Sequence, residues 1–378
     1  MASTRLSRRE FAQSLATTAA AAMVAPRLLT SDASARSLPE GMPETTIQLN
    51  ANENPYGPSP AAKQAITGAE QVASRYPDGL RDQAIETIAR LHNVPREYVA
   101  LGCGSSQILE AADLCFLKPA RTLVVAEPTY EAVLEFCNVL HSPSVKVPLT
   151  ADHRLDLPKM AAACDANTGL VYVVNPNNPT GAIVTKKELE DFMPRVPQTA
   201  VVLVDEAYFH FVEDPGYASV VPWTKQYPNL VVTWTFSKIY GMAGMRLGYA
   251  IAQPKLSESL RKRVSYACAN AAVLRAALAS LGDAELVPRE RKRLNDSRRW
   301  LVSEMKRQGR EVIPSETNFV MIQMNRDVTP VIKQFRERGI LVGRKFPSMP
   351  TYLRVSIGTP SELQAFSSAL QQIVPAKG

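Results

Sequence analysis

At 378 residues, 46% of them hydrophobic, the chain can bury a sizeable core as one large domain with a smaller companion, or as two domains. Its formal charge of +7 comes without any Lys/Arg block interleaved with aromatics, which sets nucleic acid aside and suits anionic small molecules and solubility. Five cysteines without Cys-x-x-Cys spacing and four scattered histidines predict no disulfide framework and no metal site.

Residues 1–35 read as a targeting segment. Ser7-Arg8-Arg9-Glu10-Phe11 opens an alanine-rich run to Ala25, and Ala33-Ser34-Ala35 has the small-x-small form of a cleavage site. The stretch resembles a twin-arginine export signal, which predicts a periplasmic protein that crosses the membrane folded; the alternative is a cytoplasmic protein with an N-terminal extension. The run is too short and too rich in Ala and Thr to span a bilayer, and no later segment qualifies, so no stable membrane insertion is predicted.

Ile47 to Pro58 is too dense in Asn, Pro and Gly for regular structure and is expected as an ordered loop. A helix follows over Pro60 to Ala69, a turn at Ser74 to Gly79, and an amphipathic helix to about His92. From Val99 strand and helix alternate. Val99-Ala100-Leu101 ends in Gly102-Cys103-Gly104-Ser105-Ser106-Gln107, with a helix expected over Ile108 to Phe116; a glycine turn feeding a helix N-terminus is a ready anion site. The same turn lacks the third glycine and the acidic residue of a dinucleotide fingerprint, so a nicotinamide cofactor is discounted.

Further strands are expected at Leu123 to Ala126, Ser144 to Pro148, Gly169 to Val174 and Val201 to Val204, with Met160 to Cys164 helical. Short apolar strands separated by helices imply a mainly parallel sheet, and such sheets bind ligands beyond their carboxyl ends. The loops there are polar throughout: Gly102 to Ser106, Glu127 to Tyr130, Asn175 to Gly181, Asp205 to Tyr208, and Ser237 to Arg246. The chemistry is therefore expected on these loops.

The last of them follows the buried strand Leu230 to Trp234. A lysine amine becomes a nucleophile when burial or neighbouring cations lower its pKa, and Lys238 has Arg246 close in sequence. The Ser237 hydroxyl, glycine-freed N–H groups and the Arg246 guanidinium make a phosphate socket beside that amine. A reactive lysine next to such a socket points to pyridoxal phosphate. Asp205, ending its strand, then has a purpose beyond capping, because a buried carboxylate raises the pKa of the pyridine nitrogen and keeps the ring electron-withdrawing. Tyr208 and Asn178 are candidates for its phenolic oxygen.

A charged helix over Val287 to Gly309 leads to a smaller unit, with strands at Glu311 to Ile313, Asn318 to Ile322 and Tyr352 to Ile357, and helices over Val328 to Gly339 and Pro360 to Ile373. Arg354 lies inside an otherwise apolar strand and needs an anionic partner, either a substrate carboxylate or an internal acid.

Asn-Glu-Asn-Pro-Tyr-Gly, Asn-Pro-Asn-Asn-Pro-Thr-Gly, Asp-Glu-Ala-Tyr, Ser-Lys-Ile-Tyr-Gly-Met-Ala-Gly-Met-Arg-Leu-Gly-Tyr and Leu-Arg-Val-Ser-Ile-Gly occur in that order. From about Leu49 to the C-terminus the chain resembles pyridoxal-phosphate-dependent aminotransferases of fold type I, most closely the histidinol-phosphate aminotransferases. The resemblance implies an α/β fold: a three-layer αβα large domain with a mainly parallel sheet at 76–285, and a smaller α/β C-terminal domain at 286–378. Residues 36–75 form an N-terminal arm and small-domain segment.

The resemblance also implies roles. Lys238 binds the cofactor aldehyde covalently and shuttles the substrate alpha proton; Asp205 pairs with the ring nitrogen, Asn178 and Tyr208 with its O3′. Tyr130 stacks on the ring, while Ser105, Ser106, Ser237 and Arg246 hold the phosphate. Arg354 takes the substrate carboxylate or its equivalent, with Asn318 and Arg344 as further substrate contacts. Tyr56 reaches the cofactor phosphate of a neighbouring subunit, which implies a homodimer with shared sites.

Two features depart from the family pattern. Members that read a substrate phosphate commonly have Val-Arg after the Gly-Ile-Leu-like strand, whereas here Gly343 intervenes before Arg344 and Lys345. An export signal is also odd for an enzyme of histidine synthesis. Donors that are aromatic or basic amino acids, amino-acid decarboxylation on the same fold, and an exported binding protein are the alternatives.

Overall fold

The sheet that carries the site is built from strands so apolar that both of its faces must be covered. The computed structural model describes residues 46–375, and the predicted leader at 1–35 lies outside them. In chain order the strands are β1 (Ile47–Leu49), β2 (Val99–Gly102), β3 (Thr122–Glu127), β4 (Ser144–Pro148), β5 (Thr168–Val174), β6 (Val201–Asp205), β7 (Leu230–Thr235), β8 (Gly248–Ala252), β9 (Phe319–Gln323), β10 (Ile340–Val342) and β11 (Tyr352–Ser356). The helices are α1 (Pro60–Thr67), α2 (Asp78–Leu91), α3 (Gly104–Phe116), α4 (Ala132–Val139), α5 (Leu157–Ala162), α6 (Lys186–Phe192), α7 (Pro254–Arg261), α8 (Ala271–Leu281), α9 (Leu286–Arg307), α10 (Thr329–Glu337) and α11 (Pro360–Ile373).

Seven strands form one sheet in the order β2-β8-β7-β6-β5-β3-β4. Only β8 runs against the others, pairing antiparallel with both β2 and β7. On β5, Val171 and Val173 enter one hydrophobic core with α2, α5, α6 and α8, while Leu170, Tyr172 and Val174 enter the other with α3, α4 and α7. The result is the expected three-layer αβα arrangement with a mainly parallel sheet. Each fully buried Val or Leu contributes about 1.5–3 kcal/mol.

Two short sheets stand beside the large one: β1 pairs parallel with β10, and β11 pairs antiparallel with β9. α6 and α11 start with capping boxes at Thr185/Glu188 and Thr359/Glu362, the second also with Pro360 at its first position.

Three expectations change. Ile47–Leu49, expected as part of an irregular loop, forms β1, because the parallel pairing with β10 supplies its backbone partners. α3 starts at Gly104, not Ile108, because Gly104 takes φ +73° and the Gln107 side chain accepts the Cys103 N–H at 2.7 Å; Ser105 and Ser106 therefore sit in the first helical turn. Glu311 to Ile313 is no strand: only Val312 bridges to Ile322, and Pro314, which lacks an N–H, follows at once. No described helix is long and apolar enough to cross a membrane.

Candidate active site

Because six of the seven strands point the same way, their polar C-terminal loops converge on one edge. A cavity of about 430 Å³ opens there. Ser105, Ser106, Tyr130, Asn178, Asp205 and Tyr208 line it from the large sheet, and Ser237, Lys238 and Arg246 from the loop after β7. Arg344 and Arg354 close it from the segments around β10 and β11. Two predicted residues are not on its wall, Tyr56 and Asn318.

Lys238 is the reactive candidate. Its Nζ is 3.4 Å from the Ala51 carbonyl and 5.6 Å from the centre of the Tyr208 ring. Burial, then the Arg354 charge, lower its pKa from the ordinary 10.5 to about 8, with Arg246 adding to the effect and Glu53 and Asp205 opposing it.

Asp205 ends β6 and is 2% exposed. It accepts hydrogen bonds from the Tyr172 hydroxyl at 2.9 Å and the Ala207 N–H at 3.0 Å. Burial raises its pKa, against the pull of those donors and of Lys238, and among the described residues no cation forms an ion pair with it. A carboxylate so held suits a protonated ring nitrogen. The adjacent Glu206 differs: it accepts from the Ser219 hydroxyl at 2.6 Å, the Trp234 indole at 2.7 Å and the Val220 N–H at 2.8 Å, on the far side of the strand end from the cavity lining. Burial still raises its pKa to about 7.

The anion socket has three walls. The first turn of α3 leaves backbone N–H groups without intrahelical acceptors. Arg246, at φ +64°, donates to the Ala243 carbonyl at 3.0 Å and to Ser237 Oγ at 3.4 Å. Gly104 gives that guanidinium its place, since a Cβ there would stand 2.2 Å from Arg246 Nη2. Serine hydroxyls, helix N–H groups and an arginine are the donor set a phosphate needs.

Tyr208 accepts a hydrogen bond from Asn52 Nδ2 at 3.1 Å, and burial pushes its pKa to about 12. The Asn178 carboxamide oxygen accepts from Arg354 Nη1 at 2.7 Å, and its amide nitrogen has no partner among the described residues. Arg354 also donates to the Asn50 carbonyl at 2.8 Å; its Nε is buried without a partner, and it pairs with no acid among the described residues. Among the described residues, the internal salt bridge that would have explained this arginine structurally is not formed.

Arg344 reaches the cavity but is ion-paired with Glu131, and Lys345 pairs instead with Asp327. Asn318 donates to the Asn52 carbonyl at 3.0 Å and the Glu53 carbonyl at 3.3 Å, so it shapes the loop that faces Lys238. Tyr56 lies in a separate depression with the Arg293 guanidinium 3.9 Å over its ring. Sequence reasoning missed Tyr172, the one polar side chain at the centre of β5, and Glu131, a charge directly after a strand-end tyrosine.

Fold and cavity together define a pyridoxal-phosphate-dependent transferase of fold type I: a lysine of lowered pKa, a buried carboxylate and a phosphate socket meet at the carboxyl edge of a mainly parallel sheet. The aminotransferase class I and II family matches residues 44–370, and the chain belongs to that family. A histidinol-phosphate aminotransferase of Symbiobacterium thermophilum is 36% identical over 86% of this chain and 90% of its own length. One from Cupriavidus pinatubonensis is 36% identical over 86% and 88%. A solved structure from Erwinia carotovora atroseptica matches with a TM-score of 0.84 at 33% identity, covering 86% of this chain and 95% of that one. The histidinol-phosphate aminotransferase of Sinorhizobium meliloti, solved with pyridoxal-5'-phosphate, shares the fold, with a TM-score of 0.82 at 24% identity over 87% and 90%. The protein is a transaminase that uses pyridoxal phosphate and most resembles the histidinol-phosphate aminotransferases.

Proposed function

We propose that the protein moves an amino group from an amino acid or related amine bearing an acidic group to a 2-oxo acid, with Lys238 as covalent anchor and proton carrier. One observation carries the reading of the site: an amine whose pKa is lowered to about 8 shares a cavity with a buried carboxylate that forms no ion pair among the described residues. Bound there, pyridoxal phosphate supplies an electron sink for the substrate's alpha carbon.

Ser105, Ser106, Ser237 and Arg246 hold the cofactor phosphate, Asp205 faces the ring nitrogen, Asn178 and Tyr208 bind the phenolic oxygen, and Tyr130 covers the ring. Lys238 Nζ would move the proton from the donor's alpha carbon to the cofactor's C4′, and in the second half-reaction would move a proton the opposite way, onto the alpha carbon of the 2-oxo acid. Arg354 binds the donor's acidic group through the N–H groups that Asn178 and Asn50 leave free. Asn318 acts through the Asn52 loop that it fixes, at one remove from the donor.

Purified holoenzyme tests the reading. Amine donors, histidinol phosphate beside aromatic and basic amino acids, should convert the cofactor from its aldehyde to its amine form, seen by absorbance, and a 2-oxo acid should reverse the change. Lys238→Ala should lose more than about 10⁴-fold in turnover together with the covalent link, read by borohydride trapping and peptide mapping. Turnover retained in that variant would end the proposal.

The active unit is further proposed to be a homodimer in which Tyr56 reaches the neighbouring subunit's cofactor phosphate; sedimentation showing a monomer at working concentration would count against it. The division into a large domain at 76–285 and a small domain from 36–75 and 286–378 belongs to the same proposal, and limited proteolysis would test it. Export through the twin-arginine route to the periplasm is proposed on the leader's motif, and N-terminal sequencing of protein from the periplasmic fraction would find or fail to find cleavage after Ala35.

A further inference from the structure

Arg354 and Arg344 both lie against the Phe346 ring, with their guanidinium carbons 5.4 and 4.3 Å from its centre. Both line the cavity. Gly343 sets their spacing: it donates its N–H to the Arg354 carbonyl at 2.9 Å, and a Cβ at Gly343 would lie 2.7 Å from that oxygen. The arginines are thus paired by the fold but unequal in their acidic partners. Arg354 has no acidic partner among the described residues, and its buried Nε is unpartnered. Arg344 is ion-paired with Glu131, which stands directly before α4 and lines the same cavity.

We propose that Glu131 determines the class of donor. With Arg344 paired to Glu131, the two-arginine end of the cavity offers one guanidinium without an acidic partner among the described residues. A carboxylate carries one negative charge and is satisfied by the fork of Arg354 alone. A phosphomonoester carries about −1.5 to −2 at neutral pH and needs the second guanidinium. The site therefore takes α-amino carboxylates in preference to amines carrying a phosphate. This inference rests on Arg354 as the reader of the donor's acid and narrows that reading.

The test measures equilibrium binding to holoenzyme by calorimetry, using two amine-free probes that differ in their acid: 3-(imidazol-4-yl)propionate and 3-(imidazol-4-yl)propyl phosphate. Neither probe can transfer an amino group, so failure of the transaminase reading and failure of this one are separate results. The wild type should bind the propionate more tightly. Glu131→Gln should shift the affinity ratio about tenfold toward the phosphate, and Glu131→Gln/Arg344→Gln should cancel that shift, which a merely structural role for Glu131 would not produce. Tighter phosphate binding by the wild type, or an unchanged ratio in Glu131→Gln, overturns the proposal. Binding of neither probe removes Arg354 as the acid reader and this inference with it.

Discussion

The two walls of the cavity are built in different ways. The wall made by the large sheet is buried and mostly locally determined: Asp205, Ser237 and Lys238 sit within a few residues of a strand end, and the hydrogen bonds of Asp205 and Ser237 come from the same strand, its neighbour or the adjoining turn, with only Lys238 Nζ reaching across to the Ala51 carbonyl. The facing wall is assembled over long separations. Arg354 takes its partners from Asn50 and Asn178, and Arg344 takes Glu131, from distant parts of the chain. In the proposed roles, the first wall supports the bond-breaking chemistry and the second decides which molecule presents itself. Substitutions on the two walls should therefore separate turnover from affinity.

The largest effect among the tests of that contrast is expected at Asp205. Asp205→Asn keeps the size of the side chain and leaves the Tyr172 and Ala207 donors in reach, but removes the charge proposed to hold the ring nitrogen protonated. Turnover should fall about 10³-fold while the cofactor stays attached, measured as the single-turnover rate against the absorbance of the bound cofactor. Its neighbour is the control: Glu206 is equally buried, but its oxygens are spent on Ser219, Val220 and Trp234. Glu206→Gln should cost about 1–3 kcal/mol of stability and much less in rate. Equal losses of rate in both variants would break the distinction between a charge that serves the reaction and one that holds the loop.

The two walls also differ in how far they could be read in advance. Lys238, Asp205, Ser237 and Arg246 were legible because an apolar strand ending abruptly in polar residues is a local pattern, and the sheet brings all such ends to one edge. Helix α11 was read to the residue because Thr359, Pro360 and Glu362 mark its start. The first turn of α3 was not, since Gly-Ser-Ser has no apolar periodicity. Glu131 could not be assigned, because its partner lies in the β10–β11 loop and no spacing relates the two. Tyr56 and Asn318 show the same limit: a motif locates them in the chain without saying that one lies outside the cavity and the other holds backbone carbonyls.

A middle-sized effect comes from pH. Lys238 has its pKa lowered to about 8, so its amine is charged below that pH and neutral above it. Uptake of pyridoxal phosphate by the cofactor-free protein needs the neutral amine, and the rate should rise about 50-fold between pH 6 and 8 and then level off. A lysine of ordinary pKa would continue to gain up to about pH 10. Stopped-flow absorbance distinguishes the two profiles, and a rate still climbing steeply above pH 9 would mean that burial and Arg354 do not lower the pKa as described.

The smallest effect should be the most selective. In Gly343→Ala the new methyl group would meet the Arg354 carbonyl oxygen at 2.7 Å and its Cβ at 2.9 Å, both in the body of β11 and neither able to swing aside. The strand must shift, at a cost of about 1–3 kcal/mol in stability. The shift moves Arg354 relative to Asn178 but leaves β6 and β7 untouched, since those strands pair within the large sheet. KM for the acid-bearing donor should rise about tenfold with kcat nearly unchanged. A fall in kcat of the same size would show that the walls are mechanically coupled, and that the glycine before Arg344 sets the chemistry as well as the fit.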